Sequence, residues 1–295
     1  MIPLNVLPTI RFARVAVALI LTGSVAVGCS DASGPVAGDS AISVIPDHSY
    51  LGVPVKSGFR PEIHGFSFAN FADTAYPQSF DAESLRAVVG SGPRVCVDAN
   101  PDPCVLTDEA SEFLDVVDRA RGAGHCEGMV VVAAVRFGRA MEPPTHALDD
   151  DPQVIDAIIR AFATIFLPEV QAEVRFWESE SLADTVAVLA ASLEADHLRY
   201  GMGIYLPDGG HEVLPYEIAY PEPRLARVFV YDSNWPLEER YVDIDLDTET
   251  WTFSFAAPDP SNDPYAWSGD HTDLDLNSID HRIEALEARG IDMSS

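Results

Sequence analysis

Gly124-His125-Cys126-Glu127-Gly128-Met129, running directly into the apolar stretch Val130-Val131-Val132-Ala133-Ala134-Val135, decides how this chain is read. A thiolate is the reactive form of cysteine, and the unpaired N–H groups and positive dipole end of a helix N-terminus stabilise that anion. Arg121-Gly122-Ala123-Gly124 breaks whatever helix precedes it, so Cys126 opens a new one that runs to about Arg139. Met129, Val132, Ala133 and Phe137 fall at helical spacing along it. Gly124 and Gly128 would let the backbone turn sharply and let a substrate chain approach the sulfur. The competing reading is a small buried hydrophobe opening a core helix, since free cysteine is among the most buried residue types.

Working outward, the segments before this stretch read as helices over 81–89 and 110–121, the second started by Thr107-Asp108-Glu109. Those after it read as helices over 152–166, 168–178 and 182–195. The hydrophobic period then changes to two. Strands are expected over 199–206, 211–220, 226–231, 240–246 and 250–255, with turns at Pro207-Asp208-Gly209-Gly210 and Asp247-Thr248-Glu249. Helices first and an antiparallel sheet second predict an α+β fold. Phe59, Phe66, Phe68, Phe71 and Tyr76 are expected to pack an irregular lead-in onto the domain.

With 295 residues, 47 of them acidic and 18 basic, the chain carries a formal net charge of −29, and Lys56 is its only lysine. Nothing in it could neutralise a phosphate backbone, which excludes a nucleic-acid partner. The first 14 residues hold Arg11 and Arg14 and no acid, and the uncharged segment Val15–Gly28 follows. That pattern is a secretory signal, too short to span a membrane as a helix. Ala26-Val27-Gly28-Cys29 resembles a bacterial lipobox, which implies cleavage before Cys29 and lipidation of that residue. The expected organisation is a signal peptide at 1–28, a flexible tether at 29–57, the domain at 58–257 and an acidic tail at 258–295, in which 278–289 could form a helix. The expected location is the cell envelope, with a lipid anchor in the membrane outside the cytoplasm.

Removing Cys29 leaves three cysteines in an oxidising compartment, and three cannot all pair within one chain. Cys96 and Cys104 bracket a turn-rich loop short enough for a local disulfide, which would leave Cys126 as the free thiol. Sequence alone leaves the other pairings open.

Gly209-Gly210-His211-Glu212 opens one expected strand, and Tyr231-Asp232-Ser233-Asn234 ends a later one. A Cys at a helix start, then a His at a strand start after Gly-Gly, then an Asp or Asn on the neighbouring strand resembles the papain-like cysteine peptidase superfamily. The likeness is to its compact bacterial branch, related to bacteriocin-leader peptidases, and it covers roughly residues 100–255. It implies a nucleophile helix packed on an antiparallel sheet, with Cys126 as nucleophile, His211 as base and Asp232 as the group that orients the imidazole. Asn234 is the substitute for Asp232. The implied reaction is hydrolysis of a peptide or amide bond through a thioester, with a peptide or protein as substrate and no cofactor.

Two departures from the family pattern stand out. The glutamine that such enzymes carry about six residues before the nucleophile is replaced here by Ala120, with Arg119 and Arg121 beside it. Glu127 and Glu212 also place acids next to Cys126 and His211, and a carboxylate near a thiol raises its pKa. Both departures motivate the alternative of a non-catalytic papain-like surface lipoprotein that binds a peptide or protein partner. His125 is expected to be a partly exposed neighbour of the nucleophile. The alternating Asp243, Asp245 and Asp247 fit the solvent face of a hairpin better than a calcium loop, so no metal is expected.

Overall fold

The computed structural model describes residues 45–98, 103–193, 196–207, 209–257 and 259–287. The expected signal peptide and the expected lipid carrier Cys29 lie outside them. In chain order the elements are β1 (Val55–Lys56), α1 (Pro61–His64), α2 (Ala82–Val89), α3 (Asp108–Arg121), α4 (Cys126–Gly138), α5 (Pro152–Ala163), α6 (Pro168–Trp177) and α7 (Leu182–Ser192). There follow β2 (Tyr200–Leu206), β3 (Gly209–Glu222), β4 (Leu225–Tyr231), β5 (Arg240–Asp245), β6 (Thr250–Phe253), β7 (Trp267–Asp270), β8 (Leu274–Ser278) and α8 (Ile279–Glu287). The fold is α+β, a set of helices on an antiparallel sheet.

Local chemistry accounts for the helix starts. Thr107 caps α3 by accepting from the Ala110 N–H, Asp151 caps α5 just before Pro152, and Ser181 and Asp184 form a capping box on α7. Helix α4 is buried from Gly128 to Val135, which explains a β-branched run with no polar face. It crosses α5 at Gly128, where a Cβ would lie 2.1 Å from the Ile158 carbonyl oxygen. Gly128 is therefore a helix-packing residue, and the expectation that it admits a substrate chain is corrected.

The sheet runs β7-β6-β5-β4-β3-β2-β8, with β1 paired to β3. Alternation along its strands feeds two apolar cores. Leu214, Tyr216 and Tyr231 join Met129 and the valines of α4, together with Ile155, Ile158 and Phe162 of α5. Met202, Ile204, Val213, Val228 and Val230 face Leu182, Val186 and Leu189 of α7. The sheet thus meets helices on both faces, and β2 and the first half of β3 are buried on both.

The ends of the chain depart from expectation. Val55 and Lys56, at the end of the expected tether, pair with Ile218 and Glu217. The expected acidic tail supplies β7 and β8, and β8 pairs with β2 from Tyr200↔Ser278 to Ile204↔Leu274, while the helix expected over 278–289 is α8. Leu274 and Leu276 are buried, and so is Arg282 of α8. Asp275 and Asn277 alternate with these leucines and are buried as well, so this part of the stretch is not a solvated tail. The aromatic lead-in packs as expected: Phe59 and Phe66 are wholly buried, and the Phe66 N–H donates to the Tyr231 hydroxyl at 3.2 Å.

Candidate active site

Cys126 is the first residue of α4, half-buried and unpaired, while Cys96 and Cys104 are joined by a disulfide. The α4 ladder opens with the Met129 N–H on the His125 carbonyl, so the N–H groups of Cys126, Glu127 and Gly128 precede it. The turn into the helix is held by Asn70. Its Oδ1 accepts from the N–H groups of His125 at 2.7 Å and Phe71 at 2.9 Å, and its Nδ2 donates to Asn234 Oδ1 at 3.0 Å. Its own N–H donates to the Ser233 carbonyl at 2.8 Å. One side chain thereby ties the lead-in, the start of α4 and the loop after β4. Gly124 is required on two counts: its φ is +132°, and a Cβ there would lie 2.6 Å from Asn70 Nδ2.

His211 sits near the start of β3 opposite Ile204, buried to 5% exposure, and its Nε2 donates to Asp232 Oδ1 at 2.7 Å. The Cys126 thiol is its other hydrogen-bond partner, which leaves Nδ1 as the ring nitrogen for the sulfur. Burial alone would push this imidazole down. The charges of Asp232 and Cys126, with their hydrogen bonds, overcome that and raise its pKa to about 10. The structure thus brings Cys126, His211 and Asp232 together.

Asp232 and Asn234 are distinguishable by geometry. Asn234 Nδ2 lies 3.4 Å from His211 Nε2, but both are N–H groups, and Nε2–H already points at Asp232. Asp232 is the acceptor. Asn234 braces it by donating its backbone N–H to Asp232 Oδ1 at 2.8 Å. Behind Asp232 stands Arg240, whose Nε is 3.8 Å from Oδ2, both side chains being 1% exposed. Arg240 is itself held by the carbonyls of Ala257 and Ser254.

The neighbours of Cys126 depart from expectation. His125 is fully buried, not partly exposed: it stacks on Phe71, its Nδ1–H donates to the Phe71 carbonyl at 2.7 Å, and its Nε2 accepts from Arg121 Nε at 3.0 Å. Burial lowers its pKa to about 4, so it is neutral. Arg121, also buried, is spent on His125, Asp118 and the Gln78 carbonyl, and neither residue can donate to a reacting oxygen. Glu127 is neutralised by Arg282, whose guanidinium also binds Asn277, Thr164 and the Ala161 carbonyl. Glu212 faces the opposite side of β3 from His211 and accepts from Asn277 Nδ2 at 2.6 Å. Asp243 is paired with Arg227 and Asp247 with Arg224, while Asp245 caps its own turn.

Asn70, Arg240 and Arg282 carried no sequence signal: each acts across a distance in the chain that only the fold closes. Comparison of the chain with protein-family models, with curated proteins and with solved structures finds no match.

Proposed function

We propose that this chain is a papain-like cysteine hydrolase that cleaves a peptide or amide bond. The observation that carries the reading is one imidazole held between a carboxylate and a thiol, with that thiol on the first residue of a buried helix. The Cys126 thiolate attacks the carbonyl carbon, and the oxyanion forms beside the Cys126 N–H. Asn70 supplies the side-chain amide sought near Ala120. One of its Nδ2 hydrogens goes to Asn234, and the other serves the oxyanion. Collapse of the tetrahedral intermediate breaks the C–N bond as His211 gives its Nδ1 proton to the leaving amine, leaving a thioester on Cys126. His211 then takes a proton from water, whose oxygen attacks the thioester to release the acid and restore the thiol. Asp232 keeps the imidazole oriented throughout and stabilises it whenever it carries the second proton.

The leader and Cys29 suit a lipid-anchored protein outside the cytoplasm, and the Cys96–Cys104 disulfide supports an oxidising compartment. The test is alkylation by iodoacetamide across pH. Cys126 is expected to react well below the ~8.5 of an ordinary thiol, with all reaction lost in Cys126→Ala. Reaction that sets in only near that value and persists unchanged in His211→Ala would sink the reading.

A further inference from the structure

An arc of aromatic rings surrounds the His211–Asp232 pair. Trp235 follows Asn234 in the chain, and its indole N–H donates to the Phe255 carbonyl at 2.9 Å. Phe255 stacks face to face on Trp267, with ring centroids 5.0 Å apart and planes 5° apart. Trp267 reaches back to β3, its ring 4.0 Å from where a Cβ on Gly209 would stand, two residues before His211. The arc is open to solvent: Phe255 is 38% exposed, and Leu237 and Tyr265, on the adjoining loops, are 52% and 70% exposed. Exposed aromatic side chains of this kind are enriched where proteins bind partners.

The loop that follows Trp235 is anionic, and it is tied to that residue by the Glu238 N–H donating to the Trp235 carbonyl at 3.2 Å. Glu238, Glu239 and Asp259 line a surface depression with Tyr241, whose hydroxyl donates to Asp259 Oδ1 at 3.3 Å. Arg240 is buried under Trp235 and faces Asp232. Arg227 is paired with Asp243 and lies over the Tyr241 ring at 3.9 Å, so it offsets part of the Asp259 charge and leaves Glu238 and Glu239 as the main anionic groups.

We infer that this aromatic and acidic surface docks a basic peptide segment, one that carries lysine or arginine beside an apolar or aromatic side chain. The apolar side chain lies against Phe255 and Tyr265, and the cation meets Glu238, Glu239 and Asp259. This names the substrate class of the proposed hydrolase and rests on that reading for its meaning. A neutral glycan could use the rings but not the carboxylates, and an anionic polymer would be repelled.

The test separates docking from chemistry by using the full chain as Cys126→Ala, in which binding is measured without turnover. Three probes are compared by fluorescence anisotropy: a labelled Gly-Lys-Phe-Lys-Leu-Lys-Gly peptide, its counterpart with glutamate for lysine, and labelled chitohexaose. The basic peptide is expected to bind at least tenfold more tightly than either of the others, and to weaken as salt is raised. Glu238→Gln with Glu239→Gln is expected to cost three- to tenfold and to flatten the salt dependence. Tyr265→Ser with Phe255→Ser is expected to cost tenfold or more with the melting transition retained. Equal binding of the acidic peptide, preference for chitohexaose, or indifference to both variant pairs overturns the inference. Failure of the hydrolase reading would appear separately, as normal thiol reactivity of Cys126 in the parent chain.

Discussion

Two buried imidazoles flank the thiol, and they are driven in opposite directions. His125 is pushed down to about 4, and His211 is raised to about 10. Burial lowers both, since removing water penalises the charged ring. What differs is the company. His125 meets a carbonyl, a guanidinium and two aromatic rings, so the neutral ring is the one that fits. His211 meets a carboxylate and a thiol, both anionic when deprotonated, so the cation fits. A histidine beside a nucleophile is therefore no indication of a base until its partners are known. Here the sequence neighbour is packed into the lead-in, and the distant one is bonded to the thiol and a carboxylate.

The contrast can be broken most sharply by removing each ring in turn. His211→Ala is expected to lower the rate of Cys126 alkylation at pH 6 by about 10³-fold, within the range for a lost acid–base partner. His125→Ala is expected to do the reverse. It would cost stability on the order of 2–4 kcal/mol, because Arg121 Nε loses its buried acceptor and the Phe71 carbonyl its donor. It should leave the pH dependence of alkylation under the control of His211. Urea denaturation beside the alkylation profile checks both, and a His125→Ala chain that alkylates like His211→Ala would erase the distinction.

The two rings also predict how stability varies with pH. The raised pKa of His211 means that its contribution is complete below the ordinary 6.5 and is lost as pH climbs through about 10. The lowered pKa of His125 gives the opposite sense: its contribution is complete above 6.5 and is lost as pH falls through about 4. Only near pH 6.5 are both intact. Asp232→Asn sharpens the point, for it leaves the ring in place and removes the charge that holds it up. The His211 pKa should fall, slowing alkylation at pH 6 by about tenfold or more and moving the alkaline limb of the profile below 10. An alkylation profile identical to that of the parent chain would show that Asp232 does not govern the imidazole.

How much of this was legible follows from distance along the chain. The α4 start, the β3 start and the loop after β4 each had a local signature: glycine breaks, a change of period, and turn residues. Their residues Cys126, His211 and Asp232 were therefore visible. Asn70 was not, because it acts from an aperiodic stretch of the lead-in, and its partners His125 and Asn234 are 55 and 164 residues away. Strand β8 was hidden for a different reason. Its sequence Leu-Asp-Leu-Asn-Ser alternates, but the polar half turns into the fold, so a rule that sends acids to solvent misreads it. Glu127 was read as an unmatched acid beside the thiol, because Arg282, which meets its charge, comes from the end of the chain, 155 residues on.

Asp275, in that misread strand, extends the comparison to a carboxyl and gives the smallest effect. Burial dominates it as it dominates His125, but for an acid the neutral form is protonated, so the shift is upward, to about 7. A hydrogen bond from Tyr205 pulls the other way, while Glu127, Glu173 and Glu178 add to the rise. A carboxyl whose folded pKa is raised favours the fold at low pH, and that contribution is lost as pH rises from 3.8 through about 7. Asp275→Asn keeps the shape of the side chain and cannot ionise. Its advantage over the parent chain in urea denaturation should be larger at pH 9 than at pH 5, by on the order of 1 kcal/mol once relaxation around the buried charge is allowed for. If the two chains kept the same difference at every pH, Asp275 would not be the group that titrates. If the parent chain gained on the variant with rising pH, the Asp275 carboxylate would be held by a counter-charge, as His211 is, and burial would not be what separates these groups.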